Sequence, residues 1–85
     1  MERFKVFLRK SAADELDALS GKVLRNIIAK IRELEANPRP PGCRKLSADE
    51  KYQLRQGDFR IVYSVRDKEK TVVIVKIGHR KDIYR

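Results

Sequence analysis

The chain has 85 residues, of which 39% are charged and 41% are hydrophobic, and its net charge is +9. This length fits one domain over residues 1–85 and excludes a multidomain protein. No apolar run approaches the roughly 18 residues of a membrane span, and the first five residues lack a signal-peptide core, so we expect a cytoplasmic protein with no membrane partner. Cys43 is the sole cysteine and His79 the sole histidine, so an internal disulfide is excluded and we expect no metal site and no cofactor.

The first predicted element is a strand over residues 4–8, which combines aromatic and β-branched side chains. Ser11, with Asp14 three residues later, has the pattern of a helix N-cap and an acidic first turn. An apolar stripe at helical spacing over residues 12–19 extends this helix until Ser20-Gly21 interrupts it. The sequence therefore predicts a strand followed by a short helix.

The clearest periodicity in the sequence comes next, where apolar residues recur at intervals of three and four. This spacing puts them on one face of an amphipathic helix, which ends at Asn37 because the residue before Pro38 is disfavoured in the helical conformation. A coiled-coil seam would give the same spacing, but the pattern covers only about two heptads, so we expect the stripe to pack against the core. Its members are Val23, Leu24, Ile27, Ile28, Ile31 and Leu34.

The remainder of the chain is predicted to form strands. Residues 38–48 contain the three prolines and a glycine, and we expect them to be irregular. Three strands are predicted over residues 52–55, 59–65 and 71–77, joined by a tight turn at Gly57 and by a longer polar turn.

This order predicts an α+β fold of the type β-α-α-β-β-β, in which a helical hairpin packs on one face of a mainly antiparallel four-stranded sheet. Side chains alternate along a strand, so Tyr52 and Leu54 point to one face, and Gln53 and Arg55 point to the other. If the apolar faces align towards the helices, Gln53, Arg55 and Arg60 share the open face. A slip of one residue would turn their polar groups into the core, so the register should be well determined.

Positive charge is concentrated in the second half of the chain. Residues 10–36 balance five basic groups with five acidic groups, whereas residues 37–85 hold thirteen basic and six acidic groups. Like charges repel each other, and a fold tolerates this more readily when its partner is a polyanion, of which nucleic acid is the first candidate. A basic surface that serves solubility alone, or an anionic protein partner, explains the charge equally well.

Arg55 and Arg60 would have residues 78–80 beside them at the end of the neighbouring strand, with Tyr84 a few residues further on. Arginine forks match pairs of phosphate oxygens, and arginines beside His79 and Tyr84 suit metal-free cleavage of RNA. In that reaction the ribose 2′-hydroxyl attacks the adjacent phosphorus, which requires a base, an acid and cations for the developing negative charge. DNA lacks this hydroxyl, so the mechanism implies RNA.

Each of these residues also has a structural interpretation. Exposed strand arginines are more often solvated or protect a sheet edge, His79 fits an ordinary surface residue, and Tyr84 fits an anchor that packs near the C-terminus. As bases the two rings differ, because the ordinary pKa is about 10 for tyrosine and about 6.5 for histidine, so Tyr84 would need nearby cations. Further RNA contacts are predicted, against the alternative of a solvated surface, at Lys45, Lys51, Lys81 and Arg85.

Residues 52–63 read YQLRQGDFRIVY, and residues 77–85 read IGHRKDIYR. Together these segments resemble the RelE/ParE superfamily of type II toxin–antitoxin toxins, and its RelE branch most closely, in a likeness that extends over essentially the whole chain. The resemblance implies a ribosome-dependent endoribonuclease, an mRNA interferase that cuts mRNA in the ribosomal A site and stops translation. It also implies a RelB-like antitoxin that neutralises the toxin, with operator DNA bound only through the toxin–antitoxin complex.

The resemblance implies roles for individual residues. Arg60 matches the family arginine that stabilises the transition state, and Arg80 matches the arginine that contacts the scissile phosphate or assists the leaving group. Tyr84 matches the C-terminal tyrosine proposed as general base or as a stacking group, and Arg55 stands in place of one of two family lysines. Gln53 replaces the other lysine at the RNA-binding face and brings no positive charge.

The chain departs from the family pattern a second time, because His79 precedes Arg80 and could share the acid–base work. Other functions also stay open. A ParE-like toxin on the same fold would inhibit DNA gyrase, although ParE-type chains usually lack the arginine–tyrosine set. A nucleic-acid-binding module without catalysis would show a steep salt dependence and no cleavage, and a toxin weakened by Gln53 would fold but barely act.

Overall fold

The apolar segments of the sequence form two helices and five strands in the computed structural model, which describes residues 3–46 and 50–79. The elements are β1 (Lys5–Leu8), α1 (Lys10–Asp17), α2 (Gly21–Ala36), β2 (Arg44–Lys45), β3 (Lys51–Gln56), β4 (Phe59–Arg66) and β5 (Thr71–His79). Within these ranges, neither helix is long and apolar enough to cross a membrane.

The strands form one sheet with the order β1-β5-β4-β3-β2. β1 pairs parallel with β5, and the other neighbours pair antiparallel. The predicted α+β class and the mainly antiparallel sheet are therefore confirmed, but the described sheet has five strands rather than four. The additional strand is β2, which has two residues at the sheet edge within the segment predicted to be irregular. A pair this short leaves no periodic pattern in the sequence.

Both helices cover the same face of the sheet, because the apolar residues of the two layers meet there. Ala12 of α1 and three residues of α2, Ile27, Ile31 and Leu34, are buried in one cluster with strand side chains. The strand members are Tyr52, Leu54, Ile61, Tyr63, Val65, Val72, Ile74 and Ile77. This set confirms the alternation predicted for β3 and β4. The opposite face of the sheet is called here the open face.

Two local predictions are wrong. α1 begins at Lys10 with Arg9 at its N-cap, so Ser11 lies inside the helix. The reason is that the Ala13 N–H already donates to the Arg9 carbonyl at 2.9 Å, and the helix follows β1 directly. Val23, the first residue of the predicted core stripe, is 40% exposed because it lies at the rim of the helix–sheet interface.

α1 is bonded to the sheet next to a β-bulge in the pairing of β4 with β5. Val75 is the extra residue of β5 at this irregularity. Just beyond it, the Glu15 carboxylate accepts hydrogen bonds from the Ile77 N–H at 2.9 Å and from the Lys76 ammonium at 3.2 Å. These contacts fix the last residues of β5, which lie beside the start of β4.

Arg39 holds the proline-rich segment after α2 to the far end of the sheet. Its guanidinium donates two hydrogen bonds to Asp67, of 2.8 and 3.1 Å, and one of 2.9 Å to the Tyr52 hydroxyl. Glu50 accepts hydrogen bonds from Tyr52 at 2.8 Å, from Lys45 at 3.1 Å and from Arg39 at 3.2 Å. We call these five residues the Arg39 cluster.

The Arg39 cluster keeps its carboxylates ionised. Hydrogen bonds from Tyr52, Lys45 and Arg39 hold the pKa of Glu50 below its ordinary value, and the Arg39 guanidinium does the same for the pKa of Asp67. Beside the cluster, the buried Tyr63 hydroxyl donates a 2.7 Å hydrogen bond to the Pro38 carbonyl. The proline-rich segment after α2 is thus attached to the sheet at two consecutive residues, Pro38 and Arg39.

Replacing Arg39 tests the cluster through its pH dependence. Arg39→Met is expected to lower the melting temperature at pH 7 by a few degrees, because both carboxylates lose a cationic partner. The unfolded chain binds more protons than the folded one where the pKa of Glu50 and Asp67 is depressed, so their stabilising effect is full above about pH 4 and is lost as the pH falls below it. The difference in melting temperature between the variant and the unmodified protein should therefore shrink below about pH 4, as measured by circular dichroism.

Lys68→Met is the matched control, because Lys68 is exposed in the same β4–β5 turn and belongs to no ion pair among the described residues. Equal losses for the two variants, or a difference that does not change with pH, would contradict the stabilising role of the cluster.

Candidate functional site

The β3–β4 hairpin places two arginines side by side. Gly57 at its tip has a φ of 59°, which glycine adopts without strain, and the two-residue turn sets Gln56 opposite Phe59. The next pair in this register is Arg55 opposite Arg60. Directly paired residues share a face of a sheet, and the pairs on either side of this one point towards the helices. Arg55 and Arg60 therefore meet on the open face.

Arg60 is almost completely buried, with 7% of its surface exposed. Its Nη1 donates a 3.3 Å hydrogen bond to the Phe59 carbonyl. No carboxylate of residues 3–46 or 50–79 lies within ion-pair distance of Arg60 or of the exposed Arg55. Arginine keeps its charge in any protein environment, so the hairpin holds a desolvated cation beside a second cation. Such a pair favours an anionic ligand.

Gln53 extends the site from the arginine pair towards β2. It is 4% exposed and pairs with Val62 on one side and with Arg44 on the other, so all three residues share the open face. Its amide is able to donate and accept hydrogen bonds but adds no charge. Compared with the lysine that the resemblance implies at this position, Gln53 gives the site less positive charge but keeps its hydrogen-bonding capacity.

These side chains line a pocket of about 540 Å³. Four of the described lining residues are cationic and none is acidic. Pro41 and Gly42 form one wall, and they directly follow the segment that the Arg39 cluster attaches to the sheet. The cations are Lys30, Arg44, Arg55 and Arg60.

His79 does not lie on the open face. It pairs with Phe59, and the two rings meet edge to face with their centroids 5.6 Å apart. Because Phe59 packs against the core, the imidazole lies on the helix side of the sheet, and Gly78 is the β5 residue opposite Arg60. The expectation that His79 sits with the arginines is therefore wrong in position, whereas its role as an acid or base stays a prediction.

Of the three lysines predicted to contact RNA, the two within the described residues lie on different sides of the sheet. Lys51 is exposed on the open face, on the same side of β3 as Gln53. Lys45 pairs with Tyr52 on the opposite side, and its ammonium lies 3.1 Å from the Glu50 carboxylate. The other predicted site residues lie outside the described ranges, and their roles stay predictions: Arg80, Lys81, Tyr84 and Arg85.

Lys30 and Arg44 line the pocket although sequence reasoning did not select them. Arg44 belongs to a strand too short to show a period, and only the basic excess of the second half of the chain pointed towards it. Lys30 lies in the electrically neutral helix segment, where no sequence signal distinguished it. Both enter the site through tertiary packing alone.

The chemistry of the pocket is that of anion binding. Residues 3–46 and 50–79 contain no group of three side chains able to hold a metal ion. The guanidinium groups present planar forks that match phosphate oxygens, and the buried position of Arg60 strengthens its field because little water screens it. The pocket is thus suited to bind a phosphodiester and to stabilise additional negative charge on it.

Known proteins share both sequence and fold with this chain. A family model described as "ParE toxin of type II toxin-antitoxin system, parDE" matches residues 6–84. The chain is 30% identical to a protein named toxin RelE1 of Methanocaldococcus jannaschii, over 98% of this chain and 97% of the relative. It is 28% identical to a RelE-like toxin protein of Escherichia coli, over 96% and 90%. The solved archaeal RelE–RelB complex from Pyrococcus horikoshii OT3 superimposes with a TM-score of 0.80 at 27% identity, over 92% of this chain and 96% of the other.

Arg60→Met is expected to raise the melting temperature by several degrees in phosphate-free buffer, because it removes a desolvated charge that Arg55 repels. The same variant should lose most of the rise in melting temperature that added inorganic phosphate gives the unmodified protein, since a ligand stabilises the folded state in proportion to its binding. Differential scanning calorimetry measures both effects, with Arg55→Met as the matched exposed variant. A lower melting temperature for Arg60→Met, together with an unchanged response to phosphate, would contradict this account of the pocket.

Proposed function

The chain belongs to the ParE toxin family, within the RelE/ParE superfamily of type II toxin–antitoxin toxins, and from this premise we propose that it is an mRNA interferase. The observation that supports this proposal best is the pairing of the buried Arg60 with Arg55 in a pocket whose described lining contains no acidic residue. Its substrate would be mRNA in the A site of the ribosome.

The proposed reaction needs no metal. The ribose 2′-oxygen attacks the adjacent phosphorus, the bond from phosphorus to the 5′-oxygen breaks, and the products carry a 2′,3′-cyclic phosphate and a 5′-hydroxyl. Negative charge rises on the non-bridging oxygens during this step. Arg60 stabilises that charge most effectively because its guanidinium is buried before the substrate arrives, and Arg55 adds a second, exposed cation.

The proton transfers require groups other than the arginine pair, because arginine does not release its proton. A base removes the proton of the 2′-hydroxyl, and an acid protonates the leaving 5′-oxygen. The resemblance to the family assigns Tyr84 to the base or to a stacking role, and Arg80 to the scissile phosphate or the leaving group. His79 is the weaker candidate for either transfer, since its ring packs on Phe59 on the helix side.

We also propose a RelB-like antitoxin as the protein partner, with operator DNA bound only through the complex of the two. The P. horikoshii relative was solved as a RelE–RelB complex. An acidic or amphipathic antitoxin segment would complement the net charge of +9 and the arginines of the open face.

Primer extension on mRNA from purified translating ribosomes tests the interferase proposal. The unmodified protein should cut in the A site, and Arg60→Gln should slow cutting by about 100-fold or more, as expected when a donor to a developing anion is removed. Arg55→Gln should slow it by about tenfold, because the charge it removes is exposed and screened. Lys68→Gln, which removes the same charge at the opposite end of β4, should leave the rate unchanged.

A 2′-deoxy substitution at the scissile nucleotide should abolish cutting, because the nucleophile is then absent. The proposal fails if no A-site cut occurs, or if the deoxy substrate is cut at the same rate as the ribose substrate.

A ParE-like action on DNA gyrase is the second candidate, because the matching family model is itself described as a ParE toxin. Gyrase supercoiling assays at stoichiometric toxin distinguish the two. Inhibition of supercoiling without A-site cutting would favour the gyrase function, and A-site cutting without inhibition would favour the interferase.

A further inference from the structure

The cationic pocket continues beyond the arginine pair, across β3 and around the edge of the sheet. Arg44 lies on β2 opposite Gln53, and Gln53 lies two residues before Arg55 on β3. Two strand spacings and two residues along the strand separate the Cα atoms of Arg44 and Arg60 by about 12 Å. Lys30 reaches the same pocket from α2, on the other side of this edge. The four cations therefore follow a path from the open face to the helix layer.

The two residues of β2 differ in whether an acidic side chain neutralises their charge. Lys45, which points to the helix side, is neutralised by Glu50 at 3.1 Å. Arg44, on the open face, is exposed and forms no ion pair with any residue of the described ranges. The Lys30 ammonium lies 3.4 Å from Glu33 on its own helix, which reduces its charge without removing it from the pocket. The charge available to a ligand at the β2 end thus comes chiefly from Arg44, with support from Lys30.

We propose that Arg44 and Lys30 form a second phosphate subsite, which binds a backbone phosphate of single-stranded RNA one or two nucleotides away from the phosphate held by Arg60. The identity of the ligand as RNA rests on the proposed function. The Cα atoms of Arg44 and Arg60 are about 12 Å apart with β3 between them, so we assign each guanidinium its own phosphate. The substrate strand therefore crosses the sheet from β4 to β2 and leaves past α2.

This subsite would fix direction and register of the RNA without reading its bases. Contacts to phosphate position a nucleic acid, and contacts to base edges specify its sequence. A strand held at two phosphates presents the intervening 2′-hydroxyl in a defined orientation, which is the geometry that attack on the adjacent phosphorus requires.

Binding of short RNAs of different length tests the subsite without ribosomes and without cleavage. Fluorescein-labelled 2′-O-methyl RNAs of two and six nucleotides are titrated with protein, and anisotropy is recorded at several KCl concentrations. Arg44→Gln and Lys30→Gln should each weaken binding of the hexanucleotide several-fold. Arg44→Gln should also reduce the slope of log K against log salt by about 0.7, the value for one phosphate contact on a single strand. Neither should change binding of the dinucleotide, which has one internucleotide phosphate.

Three further variants and a folding measurement make the outcomes distinct. Arg25→Gln removes an exposed charge from α2 at a position that does not line the pocket, and it should leave both RNAs unaffected. Arg60→Gln should weaken both RNAs. Circular dichroism melts of every variant separate lost binding from lost folding, and Arg44→Lys, which keeps the charge, should retain the wild-type salt slope.

If Arg44→Gln and Lys30→Gln behave like Arg25→Gln while Arg60→Gln weakens binding, the second subsite is wrong and the proposed function is unaffected. An Arg44 that only protects the sheet edge gives this same result. If the hexanucleotide result holds but the unmodified protein cuts no mRNA on ribosomes, the subsite stands and the interferase proposal fails.

Discussion

The antiparallel pairing of β3 with β4 is the constraint on which the site depends. Tyr52 and Tyr63, which are partners in this pairing, stack on the helix side with ring centroids 5.8 Å apart. The same register sets Arg55 against Arg60 on the other face. The core thus fixes the position of the arginines, because a shift of one residue would turn the tyrosines to the open face and the arginines towards the helices. Packing and chemistry are two consequences of one register, and neither can change independently of the other.

Arg39 and Arg60 show two uses of the same residue type. Arg39 is surrounded by acceptors, since Asp67, Glu50 and Tyr52 all lie within 3.2 Å of its guanidinium. Arg60 is more deeply buried, yet its one hydrogen bond within the described residues goes to a main-chain carbonyl. The first arginine stabilises the fold because carboxylates neutralise its charge. The second remains available to an anion because no carboxylate of residues 3–46 or 50–79 lies within ion-pair distance of it. Ion pairs to Asp67 and Glu50 thus mark the structural end of the sheet, and a pocket whose described lining contains no acidic residue marks the ligand-binding end.

The sequence was sufficient to predict features that depend on short-range periodicity. The alternation of β3 and β4 indicated the shared face of Gln53, Arg55 and Arg60, and the i, i+3, i+4 spacing of α2 indicated its buried side. Features that depend on tertiary placement were not predictable in this way. His79 follows a bulge in β5 that turns the residues beyond it to the opposite face, so its ring packs on Phe59 and not with the arginines. A two-residue edge strand is too short to leave any pattern, and so the contribution of β2 to the pocket was missed.

The order of strands in the sheet differs from the order in which the chain is synthesised. β5, the last strand, lies between β1 and β4, and its Gly78 is the neighbour of Arg60. On a ribosome that is translating this message, β1 and the β3–β4 hairpin emerge before the strand that joins them. The sheet can close only once residue 78 has left the exit tunnel, because pairing between segments distant in sequence must wait for both to be available. It follows that Arg60 lacks its neighbour on β5, and one side of β4 stays unpaired, until that last strand has itself emerged.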